Sequence, residues 1–231
     1  MTSWRRRAAT IVLRWFLGVA LVSWRYMWQT TPLYRTEHVG ELPEEPPPIP
    51  PELVDDDLQL DRDGVGSLYH RQFRVDIADA RVDAEQLVGA VIRDFERFVP
   101  SEVVGIRGSR SDLRVGDEFV VEMPGPWNGP VRVVHADGTC LRLATLCGHL
   151  EAGQIQFRAR PCGELLQFRI DAWARPSTRL VNLLYAHLRL AKEIQLNMWV
   201  RFCRAAADAA GGRPADGIHI RTHAIPAATG P

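Results

Sequence analysis

The most regular hydrophobic pattern in the chain lies near its C-terminus. Leu180, Leu184, Leu188, Ala191, Met198 and Phe202 recur at steps of three, four and seven. At about 100° per residue they form one stripe, with Asn182, Arg189, Glu193 and Arg204 on the opposite side. The spacing predicts a helix over residues 177–210, roughly 50 Å long at ~1.5 Å per residue. Pro176 and Ser177 supply its start, since a serine hydroxyl accepts from the first free N–H groups. Gly211, Gly212 and Pro214 supply its stop. His187 and Gln195 interrupt the stripe. Either they are core residues bonded to nearby backbone, as buried polar groups normally are, or they line a cavity beside Leu184, Leu188 and Met198 and orient a ligand there.

Such a helix needs a long apolar partner, and the segment before it supplies one. Tyr69, Phe73, Val75 and Ile77 alternate with His70, Gln72, Arg74 and Asp76, the pattern of a half-buried strand. Asp83 and Gln86 form a capping box, with Val82 and Leu87 as a hydrophobic staple. A short helix follows, with Leu87, Val91, Phe95 and Phe98 inward and Pro100 as its end. From there the chain reads as antiparallel β. Phe119, Val121 and Met123 alternate with Glu118 and Glu122, and residues 125–130 carry turn residues. Residues 131–135 and 140–145 flank an Asp137-Gly138 hairpin turn. Ile155, Phe157 and Ala159, then Leu166, Phe168, Ile170 and Ala172, mark two more strands, with Phe157 and Phe168 toward the helix. The order predicts an α+β domain. A curved antiparallel sheet of about six to seven strands, polar on one face, is covered by a long C-terminal helix.

The first 63 residues differ in kind. Residues 1–36 hold six arginines and no acid. An apolar run from residue 8 to 24 resembles a signal peptide or anchor. Arg14 inside it costs about 2.5–3.5 kcal/mol on an insertion scale, which the surrounding Leu, Ile, Val and Phe residues roughly cancel, so spanning is marginal. No A-x-A cleavage site follows. Arg7, Arg14 and Arg25 stack on one helical face, and Trp24 and Trp28 lie one turn apart. This is the pattern of a separate amphipathic helix lying on an anionic membrane surface. A single span and a helix packed on protein are its alternatives. Residues 37–63 hold ten acids and one arginine. The run of prolines from Pro46 to Pro51 forms neither helix nor central strand. It reads as an extended acidic spacer that holds the domain off a surface. The organisation expected is therefore residues 1–36 as helix, 37–63 as linker, 64–212 as the α+β domain and 213–231 as a short tail.

Charge then narrows the partners. The 231 residues carry 28 basic and 28 acidic side chains, which removes the case for general nucleic-acid binding. Cys140, Cys147, Cys162 and Cys203 show no C-x-x-C and no zinc spacing, in keeping with a reduced, cytoplasmic protein. His219 and His223 are spaced like metal ligands but lack a third, so no metal is expected. No phosphate loop, G-x-S-x-G or G-x-G-x-x-G is present, and no cofactor is expected. Gly148-His149-Leu150-Glu151 sits between two strands. His149 and Glu151 are the weak candidates for a general base and its orienter, or they cap backbone N–H groups in a turn. Arg158, Arg160, Arg169 and Arg175 share the outer face of adjacent strands, either solvated or as an anion or headgroup site.

The motifs Gly66-x-Leu68-x-His70-Arg71, Met123-Pro124-Gly125-Pro126-Trp127, Thr145-Leu146-x-Gly148-His149-x-Glu151-x-Gly153 and Ala172-x-Ala174-Arg175 resemble domain-of-unknown-function family nineteen-ninety. The element order resembles the START-like helix-grip superfamily. What the resemblance implies is a cavity under the long helix for lipids, sterols, polyketides or other apolar molecules. It carries over no catalytic residue. The function expected is binding of an apolar small molecule or lipid near a membrane. The alternatives are an enzyme using His149 and Glu151 or His187, and a ligand-free partner-binding protein with a filled core.

Overall fold

The computed structural model describes residues 31–101, 104–108, 111–122, 128–178 and 189–226, and for residues 189–195 the backbone alone. One mixed sheet of nine strands dominates: β1 (Leu33–Val39), β2 (Leu68–Ala78), β3 (Gly105–Arg107), β4 (Glu118–Glu122), β5 (Asn128–Ala136), β6 (Cys140–Thr145), β7 (Glu151–Cys162), β8 (Leu165–Pro176) and β9 (Arg213–Ile225). Their order across the sheet is β1-β9-β2-β8-β7-β6-β5-β4-β3. Side chains alternate between faces with a period of two, so the register decides what each face carries. Phe73 pairs with Ile170 and Ile170 with Phe157, while Val75 pairs with Phe168 and Ile77 with Leu166. All lie on one face, and all are buried.

Two helices cover that inner face. Helix α1 (Ala84–Arg93) begins with the expected capping box. The Gln86 N–H donates to Asp83 Oδ1 at 2.8 Å, and the Asp83 N–H to Gln86 Oε1 at 3.1 Å. A 3-10 turn (Phe95–Phe98) then sends Phe95 and Phe98 into the core. Helix α2 (Arg189–Ala209) lies within the long helix read from the sequence. It ends in a Schellman motif: the Gly211 N–H donates to Asp208 O and the Gly212 N–H to Ala207 O, with Gly211 at φ +66°. Met198, Phe202 and their neighbours Trp199, Val200, Cys203, Ala206 and Ala207 are buried, a wider stripe than the spacing alone gave.

Three expectations need correction. The sheet has nine strands rather than six or seven, and β1 runs parallel to β9. The supposed tail is β9, which sits between β1 and β2, one strand in from the edge, with Ile218 and Ile220 in the core. The supposed spacer is no free linker. Residues 44–60 form a strap laid across the outer face of the sheet. The Trp173 indole N–H donates to Glu44 O at 2.8 Å, Gln154 Nε2 to Pro47 O at 3.0 Å and Arg132 Nη1 to Leu53 O at 3.2 Å. Leu58 bridges to Leu146 and is buried in a second small core with Val134 and Ala144. The separate helix expected from residues 1–36, with Arg7, Arg14, Arg25, Trp24 and Trp28, falls outside the described residues apart from residues 31–36. Residues 33–36 belong to β1.

Candidate functional site

The inner face is not uniform. Under α2 it is filled. The Phe202 ring lies 4.9 Å from that of Phe157, 5.3 Å from Phe98, 5.5 Å from Phe95 and 6.0 Å from Phe168, centre to centre. Further along the same strands the side chains shrink. Gly153 pairs with Ala174, Ala172 with Ile155 and Arg71, and Thr222 and Ala224 of β9 with Arg71 and Tyr69. Only glycine fits at position 153, since a Cβ there would stand 2.0 Å from the Trp173 carbonyl oxygen. Among these small residues lies one ion pair. Arg71 Nη1 donates to Glu151 Oε1 at 2.9 Å, with the two side chains 12% and 11% exposed, and the guanidinium stands over the Tyr69 ring. Packed rings at one end of the face thus give way to alanine and glycine around a partly buried ion pair.

Against this geometry the expected site residues divide. Phe157 and Phe168 are fully buried and Met198 nearly so, all within the filled region. Leu184, His187 and Leu188 lie outside the described residues, as does the Gln195 side chain. His149 and Glu151 are close in space but do not pair through their side chains. His149 Nδ1 lies 2.9 Å from both the backbone N and O of Glu151, and the carboxylate turns to Arg71. Gln59 of the strap ties the same loop, donating to His149 O and Glu151 O. Tyr69, Arg71 and the small residues around them were missed as a group. Their signal was the run of Ala and Gly at inward positions of β7 and β8. Among the described residues no group of His, Cys, Asp and Glu could hold a metal. An open groove of about 660 Å³ lies at the loop end of the sheet, lined in part by Asp79, Asp83, Glu85 and Glu164, far along the strands from the small-residue region.

Of the two readings of the outer arginines, a solvated face or an anion site, the contacts of Arg158 and Arg169 correct the first, while Arg160 is exposed. Asp171, fully buried, accepts from His70 Nε2 at 3.1 Å, Gln72 Nε2 at 3.1 Å and Arg169 Nε at 2.7 Å, with Arg158 Nε at 3.5 Å. The Glu44 carboxylate of the strap then pairs with both Arg158 and Arg169. Arg160 donates to Gln167, and Arg175 to Gly66 O. An anion does sit among these arginines, but it is the protein's own Glu44.

Beside this network, rings stack across four strands. His38 lies over His223 at 4.9 Å, His223 near His70 at 6.4 Å, and His70 over Trp173 at 4.7 Å. Desolvation holds His223 below its ordinary value, and the neighbouring His38, His70 and Arg221 add to it. Burial lowers His149 as well, against the opposing pull of Glu151. A folded pKa depressed below the unfolded value, about 6.5 for His, gives stability that is present above that pH and lost as pH falls through the folded value. The melting midpoint should therefore fall as pH is lowered from 7 toward 5, and His223→Gln should flatten part of that fall. A profile unchanged by His223→Gln would remove the stack from the explanation.

A large sheet with a helix gripped across one face near the C-terminus defines a helix-grip type of α+β domain. The chain belongs to the family described as Domain of unknown function (DUF1990), whose model matches residues 64–206. No curated protein matches it. Solved structures with a similar chain path include hypothetical protein jhp0584 from Helicobacter pylori, at 11% identity and TM-score 0.44, covering 60% of this chain and 86% of that one. The di-domain ARO/CYC StfQ from the steffimycin biosynthetic pathway is similar at 16% identity and TM-score 0.43, covering 65% and 52%. Protein NE0264 from Nitrosomonas europaea is similar at 15% and 0.41, covering 68% and 97%. The wider START-like placement stays a resemblance. Among the described residues no helix is long and apolar enough to cross a membrane.

Proposed function

We propose that the domain binds an apolar small molecule or lipid at the small-residue end of the sheet's inner face. The observation that carries this is the change along that face from packed aromatic rings to Gly153, Ala172, Ala174, Thr222 and Ala224, beside the Arg71–Glu151 pair. A ligand there would rest its apolar body on the small residues and turn its polar end to that pair. The reading is preferred to an enzyme that pairs His149 with Glu151, because those two side chains face different partners.

Titration with a neutral fluorescent probe, N-phenyl-1-naphthylamine, tests it. The full chain should bind the probe saturably, and Ala174→Leu should weaken binding at least tenfold with little change in melting midpoint, because the added methylenes enter ligand space. If the region is solid core, the same substitution overpacks it and costs about 1–3 kcal/mol of stability. That loss, together with no probe binding by the wild type, would leave the partner-binding alternative in its place.

A further inference from the structure

The opposite face of the sheet holds a charge without a hydrogen-bond or ion-pair partner among the described residues. Arg142 lies on the outer face of β6, paired across to Gln156 of β7 and flanked on its own strand by Cys140 and Ala144. It is only 6% exposed, yet its Nε and Nη1 are buried with no hydrogen-bond partner. The carboxylates nearby are committed elsewhere. Glu44 holds Arg158 and Arg169, Asp171 accepts from three side chains, and Asp55 and Glu118 hold Arg132. His135 of β5 is bound to Asp137 at 2.9 Å. Cys140 offers no counter-charge, since burial pushes its thiol up to about 11 and leaves it neutral.

The strap crosses the same strand one inward-outward repeat away, at Ala144. It touches β7 at Pro47 and β5 at Leu53, so residues 47–53 cross over β6 between those contacts. Ile49 and Leu53 pack on the small core that includes Ala144, next on the strand after Arg142 and Leu143. Toward Cys140, which is half-buried, and Arg158, at 31% exposure, the same face opens to solvent. An unpaired buried arginine is destabilising unless an anion answers it.

We propose that Arg142 is the centre of a site for a small free oxyanion, a carboxylate or a phosphate, held beside the strap on the outer face. A membrane surface or a folded partner would meet the neighbouring strap first, so a small free ion is the occupant that fits. The oxyanion takes Arg142 Nε and Nη1, which solvent does not reach in this structure, as its donors and gains from the positive charge of Arg158. The site is independent of the ligand region, which lies on the other face of the sheet.

The test uses the full chain in chloride, phosphate and acetate buffers at equal ionic strength and pH. One of the two oxyanions should raise the melting midpoint saturably above the chloride value, and which one does so separates phosphate from carboxylate. Arg142→Leu should weaken that response at least tenfold, while its midpoint in chloride is no lower than the wild type's. Should Arg142→Leu fail to fold, Arg142→Gln is read in the same way. A crystal structure of the wild type grown in the active oxyanion should show it against Arg142. No response beyond chloride, an undiminished response in the Arg142 variant, or a crystal showing only water between Arg142 and the likewise unpaired Gln154 Oε1 would overturn the proposal.

Discussion

Truncating Phe202 to alanine should cost the fold about 3–5 kcal/mol, the range for a buried aromatic ring removed from a packed core. Phe202 is fully buried and its ring meets those of Phe95, Phe98, Phe157, Phe168 and Trp199. Those rings come from α2, the turn after α1, β7 and β8. None can move into the space left behind without breaking its own contacts, so little of the cavity would collapse. Asp208→Asn, on the exposed side of the same helix, should change stability by less than about 0.5 kcal/mol. Urea denaturation of both variants gives the comparison. Equal losses would mean that α2 does not clamp the sheet through the face assigned to it.

Replacing Asp171 with alanine should cost about 3–5 kcal/mol, for a different reason. It leaves His70, Gln72 and Arg169 without their buried acceptor and Arg158 without one of its two carboxylates. Breaking a buried charge network from one side is costly because the remaining groups cannot return to water without unfolding. Glu44→Gln removes the outer carboxylate of the same network. Glu44 is 40% exposed, so water can replace it and the expected loss is about 0–1 kcal/mol. Thermal and urea midpoints for the two variants should differ accordingly. A mild effect at Asp171 would mean that the strap lifts readily and the outer face is wet.

The elements that were legible from the sequence are those whose pattern is set by one buried face. In β2, β7 and β8 the apolar positions alternate because one side meets α1 or α2, and in β4 because Phe119 meets Phe95 of the 3-10 turn. The capping box at Asp83 and Gln86 is local chemistry and was readable as such. β9 carries the same signal in Ile218, Ile220 and Thr222, but the glycines before it and the spacing of His219 and His223 drew the reading toward a tail. β1 has six exposed residues of seven, so an edge strand of this kind shows no alternation to find. The strap is harder still. Its prolines exclude a central strand and leave one 3-10 turn, Pro51–Leu53, yet proline content says nothing of whether carbonyls such as those of Glu44 and Pro47 meet donors from Trp173 and Gln154. Those contacts join positions more than a hundred residues apart. For the same reason the outer arginines stayed open between a solvated face and an anion site: alternation sorts side chains by face, but it does not say what covers a face.

The candidate site was legible in outline only. The sequence pointed to the space between sheet and helix, and named Phe157, Phe168 and Met198, which turn out to fill it. The residues of the proposed site are small, and small residues carry little hydrophobic signal. His149 and Glu151 looked like a pair because they are two apart. Gln59 and the backbone of Glu151 itself hold this loop in a conformation that separates their functional atoms.

The most direct measurement on the central claim is native mass spectrometry of the full chain purified without denaturant. The account predicts a mass above that of the polypeptide by one discrete apolar compound, released on unfolding and absent from Ala174→Leu. A bare polypeptide mass for the wild type, in a folded charge-state distribution, would contradict it.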